Sequence, residues 1–104
     1  MINSKIKGKA GELEFVHYLK EKGYKDARRG QQFCGTPESP DIICESLPKL
    51  HFEVKRVQNL NIGKAMEQAI DDCGDKIPVV AHRKNNCNWM ITLSADNFFN
   101  LIKE

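Results

Sequence analysis

Long apolar segments are absent from this chain of 104 residues. No hydrophobic run approaches the roughly 20 residues that a helix needs to cross a bilayer. The first residues, Met1 to Lys5, also lack the apolar stretch of a signal peptide. We therefore expect a cytoplasmic protein without membrane association, and the length predicts a single domain over residues 1–104.

Closely spaced cysteines are missing as well. The four cysteines form no C-x-x-C pair and no Cys/His pair with the spacing of a zinc finger. Disulfides are not expected in the cytoplasm. Cys44 and Cys73 fall within apolar patterns, and we interpret them as small core residues, with a zinc site built from remote cysteines as the less favoured alternative.

The chain also lacks a strong net charge. The chain has 16 Lys and Arg residues against 14 Asp and Glu, a net charge of +2, which does not by itself indicate a partner. The basic residues are nevertheless clustered, and clusters that the fold brings together would form a phosphate-contacting surface. The alternative is that each is simply solvated. The clusters are Lys5, Lys7 and Lys9; Arg28 and Arg29; Lys55 and Arg56; and His82, Arg83 and Lys84.

The first predicted helix runs from about Ser4 or Lys7 to Lys22, and Gly23 suits the position just after its end. Glu12 falls near the centre of the apolar arc of this helix. A carboxylate there is costly unless it is paired or binds a metal, although a place near the helix start would also let it reach water. The apolar arc consists of Leu13, Phe15, Val16 and Leu19.

The remaining patterns predict an α/β fold with a mixed central sheet flanked by helices, in the order α-β-β-β-α-β-β-α. Residues 24–29 are predicted as a short strand. A second, strongly amphipathic helix is predicted over residues 62–73, between the cap Asn61 and Gly74. Residues 78–82 and 89–93 suit a hairpin, with Trp89 as a core residue. Ser94 is predicted to cap a last helix that buries Phe98, Phe99 and Ile102.

The stretch from Asp41 to Lys55 carries the strongest functional signal. Leu50, Phe52 and Val54 alternate with His51, Glu53 and Lys55, which is the period of a strand with one buried face. Asp41 opens a short apolar run, and the turn-like residues 44–49 return the chain beside it. We therefore expect the Asp41 carboxylate to meet Glu53 and Lys55 on the neighbouring strand, with His51 flanking them or lying at the sheet edge.

Two carboxylates with an adjacent amine suit phosphodiester hydrolysis. Mg²⁺ prefers oxygen ligands, and a bound divalent cation can activate water and stabilise charge on the phosphate. Asp41, Glu53 and the backbone carbonyl of Val54 are candidate metal ligands. Lys55 could hold the scissile phosphate, orient the water or act as a general base, and the sequence leaves these roles open.

These motifs resemble those of the PD-(D/E)xK nuclease superfamily, in particular the archaeal-type Holliday junction resolvases and the small virus-type replication-repair nucleases. The resemblance covers residues 5–73. It is carried by Lys7-Gly8, Glu12, Gly23, Arg28-Arg29, Pro40-Asp41-Ile42 and Phe52-Glu53-Val54-Lys55. The serine that resolvases carry before the aspartate has only the candidates Thr36 and Ser39 here.

The resemblance implies a restriction-endonuclease-like core and dependence on Mg²⁺ or Mn²⁺. It implies catalytic roles for Glu12, Asp41, Glu53 and Lys55, with Glu12 as a further metal ligand, and Gln68 matches loosely a glutamine that assists the site in several branches. It also implies branched DNA as substrate and a homodimer.

The favoured interpretation is thus a metal-dependent DNA endonuclease, with a non-catalytic nucleic-acid-binding module on the same fold as the alternative. A small interaction protein, in which Glu53 and Lys55 form only a surface ion pair, is the second alternative. The candidate nucleic-acid contacts are Lys7, Lys9, Arg28, Arg29, Gln32, Arg56 and Lys64.

Overall fold

The computed structural model describes residues 4–30 and 40–103, without the side chains of residues 4–7. The elements follow the predicted order. They are α1 (Ser4–Glu21), β1 (Arg28–Arg29), β2 (Ile42–Ile43), β3 (Leu50–Arg56), α2 (Ile62–Asp72), β4 (Ile77–Arg83), β5 (Met90–Thr92) and α3 (Ala95–Lys103).

Three strands form a mixed sheet in the order β3-β4-β5. Strands β3 and β4 are parallel and connected through α2, whereas β4 and β5 form the predicted antiparallel hairpin. A mixed sheet with helices is therefore confirmed. The register places Glu53 beside Val80 and Lys55 beside His82, so these four residues share one face of the sheet.

Two apolar clusters cover the two faces of the sheet. The larger joins α1 to β3 and β4, with Phe15 fully buried against Phe52 and Val79. Trp89 packs on this cluster, its ring centroid 4.9 Å from that of Phe15, which confirms its assignment to the core. The smaller cluster holds α2 on the opposite face through Ala65, Ala69 and Val80. Strand β3 is therefore covered on both faces.

The helix boundaries follow local signals in the sequence. Gly23 and Gly74 have positive φ angles of 104° and 59° just beyond α1 and α2, a conformation that glycine adopts without steric cost. The side chain of Asn61 accepts a hydrogen bond from the Lys64 amide at the start of α2. Ser94 accepts one from the Asn97 amide at the start of α3.

The strand predicted over residues 24–29 is wrong in length, because only Arg28–Arg29 is extended. Asp26 accepts hydrogen bonds from the backbone amide and the hydroxyl of Ser46 at 2.8 and 2.7 Å. These side-chain bonds hold the residues before Arg28 in turns, because a short polar side chain competes with a strand ladder for backbone groups.

The prediction that the strand opened by Asp41 pairs with β3 is also wrong. Strand β2 pairs antiparallel with β1, and the two form a separate sheet. The Gly30 amide extends this pairing by donating to the Asp41 carbonyl at 2.8 Å. A Cβ at Gly30 would lie only 1.7 Å from the Pro40 carbonyl oxygen, so this close approach, which positions Asp41, requires glycine.

The predicted burial of the last helix is wrong. Phe98, Phe99 and Ile102 are 45, 58 and 62% exposed, and α3 buries none of its residues. Leu93, just before the helix, packs on the core instead. The described elements therefore leave the apolar stripe of α3 largely uncovered.

Two smaller predictions also need adjustment. Cys44 is buried as expected, but Cys73 is only partly buried and its thiol donates to the Ile70 carbonyl. Ile70, on the apolar stripe of α2, is 55% exposed. Cys44, Cys73 and Cys87 are free thiols. Within the described residues, no helix combines the length and apolarity needed to cross a membrane.

Candidate active site

Glu53 is a buried carboxylate at the centre of β3. Its residue is 4% exposed, and its side chain points to the face that α2 covers. Burial raises the pKa of Glu53 from 4.5 to about 7, and the negative charge of Asp41 adds to this effect. The carboxylate therefore lies in an environment that opposes its ionised form.

Asp41 reaches the same region from the edge of β3 that lies opposite β4. Its Oδ2 accepts a hydrogen bond of 2.8 Å from the backbone amide of Val54, on the strand edge that β4 does not occupy. Asp41 thus meets β3 through its side chain rather than through a strand ladder. Burial raises the pKa of Asp41, although the Val54 amide and the charge of Lys55 favour the ionised form.

Lys55 lies beside Glu53, as the alternation of β3 predicts. Its Nζ is 3.4 Å from Glu53 Oε2 and donates to Gln68 Oε1 at 3.2 Å. The Lys55 side chain is 29% exposed, so the ammonium connects the buried carboxylate to the surface. Gln68 projects from α2 toward the strand, and the structure brings this glutamine to the predicted site.

Glu12 joins the cluster from α1. Its Oε1 accepts from Arg29 Nε at 3.0 Å, with side chains only 14 and 23% exposed. Burial raises the pKa of Glu12 and the charge of Asp41 raises it further, while Arg29 and Lys55 lower it. The predicted cost of a carboxylate on this apolar arc is therefore offset by an ion pair with Arg29, a partner that the sequence did not identify.

The three carboxylates approach Lys55 from two layers. Glu12 belongs to the α1 layer and Glu53 to the α2 layer, while Asp41 binds the strand edge between them. Lys55 lowers the pKa of all three, so its ammonium acts on the whole cluster. The structure thus brings the five groups predicted as catalytic, these four and Gln68, together around β3.

The chemical types of these donors suit an oxygen-liganded divalent cation, although their present spacing does not close around one. Three half-buried or buried carboxylates surround one ammonium and one guanidinium, and each carboxyl pKa is raised by burial and by a neighbouring carboxylate. A hard cation such as Mg²⁺ prefers these ligands and would stabilise their ionised forms. In this conformation no three His, Cys, Asp or Glu side chains of the described chain are grouped closely enough to hold an ion.

Two further titratable residues, His51 and Asp72, contribute to the electrostatic field at the site. His51 is buried on β3, and its Nε2 has no hydrogen-bond partner among the described residues. Burial lowers its pKa, whereas Asp41 and Asp72 raise it. The charge of Asp72 also raises the pKa of Asp41 and Glu53. Asp72 lies four residues after Gln68 on α2, a helical spacing that could have identified it.

Among the described residues, the predicted nucleic-acid contacts Arg28 and Arg29 are engaged in ion pairs. Arg29 pairs with Glu12, and Arg28 pairs with the exposed Glu45 at 3.0 Å. Lys9 and Lys64 are exposed, and Lys64 lines a cavity that also contains Lys55 and Gln68. The Lys7 side chain, Gln32, Thr36 and Ser39 lie outside the described residues.

Arg56 is held in a charge cluster that the sequence did not predict. Glu14 accepts from Arg56 at 3.2 Å and pairs with Arg83 from the neighbouring strand. Arg56 also donates to Asn85. The cluster connects α1 to the ends of β3 and β4, so Arg56 has a structural partner on each side.

Comparisons with protein-family models, curated proteins and solved structures gave no match to this chain.

Proposed function

We propose that this chain is a metal-dependent DNA endonuclease of the PD-(D/E)xK type, with a restriction-endonuclease-like core. The observation that supports this most directly is the buried Glu53 carboxylate, which has a pKa raised to about 7 beside Asp41 and contacts Lys55. Perturbed carboxylates clustered with an amine are typical of functional sites. A surface ion pair would leave Glu53 exposed, and Glu53 is buried.

Asp41 and Glu53 would hold a Mg²⁺ or Mn²⁺ ion, with Glu12 and the backbone of Val54 as further candidate ligands. The ion, when bound, supplies an activated water and stabilises charge on the phosphate. The amide of Val54 already orients the Asp41 carboxylate, because it donates to Oδ2. The protein therefore holds one ligand in place through the backbone of the strand that carries the other.

Lys55 is placed to bind the scissile phosphate. Its ammonium is partly exposed and is held between Glu53 and Gln68. Gln68 accepts a hydrogen bond from the ammonium and so orients its remaining N–H donors, which suits contact with a phosphate oxygen or with the attacking water. Gln68 is thus a positioning residue for Lys55, and Arg29 has the same role for Glu12.

The substrate proposed is DNA, and the resemblance to the resolvases implies branched DNA. The active species proposed is a homodimer. The exposed apolar stripe of α3 supports a second copy as its occupant. Asp96 and Lys103 lie two turns apart on one side of this stripe. In an antiparallel pair of α3 helices, each Asp96 would therefore meet Lys103 of the second copy.

A cleavage assay with several DNA forms tests the proposed function. Linear duplex, single-stranded, flapped and four-way-junction DNA are incubated with Mn²⁺ or Mg²⁺, and products are separated on denaturing gels. We expect cleavage of at least one form, abolished by EDTA. Asp41→Ala and Lys55→Ala should each lower the cleavage rate by at least about 100-fold while DNA binding persists, since both remove groups that act on the reacting phosphate.

Glu45→Gln is the matched control, because Glu45 is an exposed carboxylate whose partner is Arg28. It should cleave at the wild-type rate. Circular dichroism and thermal melting establish that each variant is folded. DNA binding by folded protein with no cleavage of any form would contradict the nuclease proposal and select the non-catalytic binding module.

A further inference from the structure

A cavity of about 650 Å³ lies at the carboxyl ends of β3 and β4, beside the start of α2. Its volume falls in the range of about 300–1,000 Å³ that small-molecule sites occupy. The side chains that define its chemistry are Gln58, Asn59, Ile62, Lys84, Asn88 and Met90. The basic cluster His82, Arg83 and Lys84 lines this cavity, whereas none of the residues predicted to act in catalysis does.

The polar side chains of the lining are cations, amides, His82 and Cys87. No Asp or Glu is among its lining residues in the described chain. Arg83 is already paired with Glu14 and donates to the Cys87 carbonyl, and so it is not counted as a free donor. The side chains of Lys84, Asn59 and Asn88 make no hydrogen bond or ion pair with the described residues, so they remain available to an anionic ligand.

The rest of the lining is apolar. Leu60, Ile62 and Met90 contribute to it, and Ile62 and Met90 are 38 and 58% exposed. Exposed apolar side chains next to unpaired amides and a lysine suit a ligand with a flat apolar part and an anionic part. A nucleotide combines these two properties.

The cavity is continuous with the candidate active site. Val57, Leu60 and Asn61 line both this cavity and the smaller one that contains Lys55 and Gln68. If a phosphate of a DNA strand contacts Lys55, the neighbouring nucleotide of that DNA strand would therefore lie over these shared residues.

We propose that this cavity binds a nucleotide of the DNA strand adjacent to the phosphate held at Lys55. Lys84 contacts a flanking phosphate, the amides of Asn59 and Asn88 bond phosphate or base-edge atoms, and the base lies on Ile62 and Met90. Contacts of this kind supply affinity with little dependence on sequence. The inference rests on the proposed nuclease function for the identity of the strand.

Equilibrium binding in EDTA tests the cavity without requiring cleavage. The probe is a fluorescein-labelled oligothymidylate, and its anisotropy is measured with the full chain over a series of salt concentrations. Lys84→Gln should weaken binding about threefold or more and lower the slope of log Kd against log salt by about one, since one phosphate contact is lost.

Lys20→Gln is the control. Lys20 is exposed on α1 and lies nine residues from Gly11, which packs on Arg56 at the cavity end of β3. This spacing places Lys20 about 13 Å along the helix from that end. Its binding constant and salt slope should equal those of the wild type.

Met90→Trp should strengthen binding, and a gain of affinity cannot be explained by loss of folding. An indole on this exposed strand position would stack on the base, and binding should tighten about fivefold or more, because stacking on an aromatic side chain strengthens single-strand binding to this extent. Unchanged affinity for both Met90→Trp and Lys84→Gln would overturn the inference. Equal displacement of the probe by polyglutamate would overturn it as well, since charge alone would then account for binding.

The two proposals fail in different ways. If the chain binds DNA through this cavity but cuts none, the nuclease proposal fails and the cavity assignment stands. If it cuts DNA while the cavity variants bind like the wild type, the nuclease proposal stands and the cavity assignment fails.

Discussion

At the scale of single residues, the chemistry of this protein depends on how Glu53 is surrounded. Two helices bury the strand that carries it, and Asp41 places a second carboxylate nearby. Lys55 neutralises part of this charge but remains partly exposed. The buried carboxylates of Glu53 and Asp41 would destabilise a protein without a ligand. A bound cation would offset this cost, and Lys55 would contact a phosphate.

The stability of the metal-free protein should depend on pH through Glu53. The pKa of Glu53 is about 7 in the folded chain, against an ordinary value of 4.5. Between these values the folded chain binds the proton and the unfolded chain does not, so the free energy of unfolding falls as pH rises through this window. Glu53→Gln should therefore stabilise the protein near pH 8, by about 3 kcal/mol at most, and change little near pH 5.

Urea unfolding in EDTA at both pH values measures this difference. Glu45→Gln removes an exposed carboxylate and should show no gain at either pH. A lower stability of Glu53→Gln than of the wild type near pH 8 would contradict the assignment of a raised pKa.

At the scale of elements, the site depends on close packing between α1 and β3. A Cβ at Gly11 would lie 2.7 Å from the Cβ of Arg56, so the helix and strand approach as closely as glycine allows. This approach brings Glu12, one residue further along the helix, to the end of the strand where Lys55 lies. The glycine therefore determines the distance between the α1 carboxylate and the rest of the cluster.

Gly11→Ala should destabilise the protein and disturb the site, whereas Gly8→Ala should stabilise it. Both changes favour the helix by about 1 kcal/mol. At Gly11 the added methyl meets a rigid part of Arg56, and overpacking of this kind costs about 1–3 kcal/mol. At Gly8 no described atom lies within 4 Å of the added Cβ.

Thermal and urea unfolding of the two variants provide the comparison. Cleavage should fall in Gly11→Ala and persist in Gly8→Ala. Equal stabilisation by both substitutions would show that the helix and strand separate without cost.

At the scale of the whole molecule, the apolar stripe of α3 is open to solvent. Phe98, Phe99 and Ile102 are 45, 58 and 62% exposed. The proposed homodimer accounts for this surface, because it covers an apolar stripe that no described element covers.

Phe99→Glu should convert the dimer to a monomer, raising its dissociation constant at least tenfold, because a charge would be buried in the apolar interface. Sedimentation velocity over a concentration series measures this shift. Asn100→Glu, on the polar side of the same helix, is the control and should leave the dimer intact.

A charge exchange tests the antiparallel arrangement. Asp96→Lys should weaken association, and the double variant with Lys103→Asp should restore it. A wild-type chain that stays monomeric at all concentrations would contradict the dimer.

Local patterns predicted much of this structure. The alternation in β3 placed Glu53 and Lys55 on one face, since side chains alternate in any strand. Asn61, Ser94, Gly23 and the helical spacing in α2 identified helix ends and one buried face, because caps and periodicity act within a few residues. The element order and the closing hairpin followed from such signals.

Only the tertiary structure decided which faces other elements cover and which charges meet. The stripe on α3 is as apolar as that on α2, yet it is exposed because no described element packs on it. Arg29 pairs with Glu12 across 17 positions, and β2 pairs with β1 instead of β3. The sequence alone determined that Glu53 and Lys55 share a face. Burial between two helices determined the raised pKa of Glu53, because desolvation depends on neighbours that are distant along the chain.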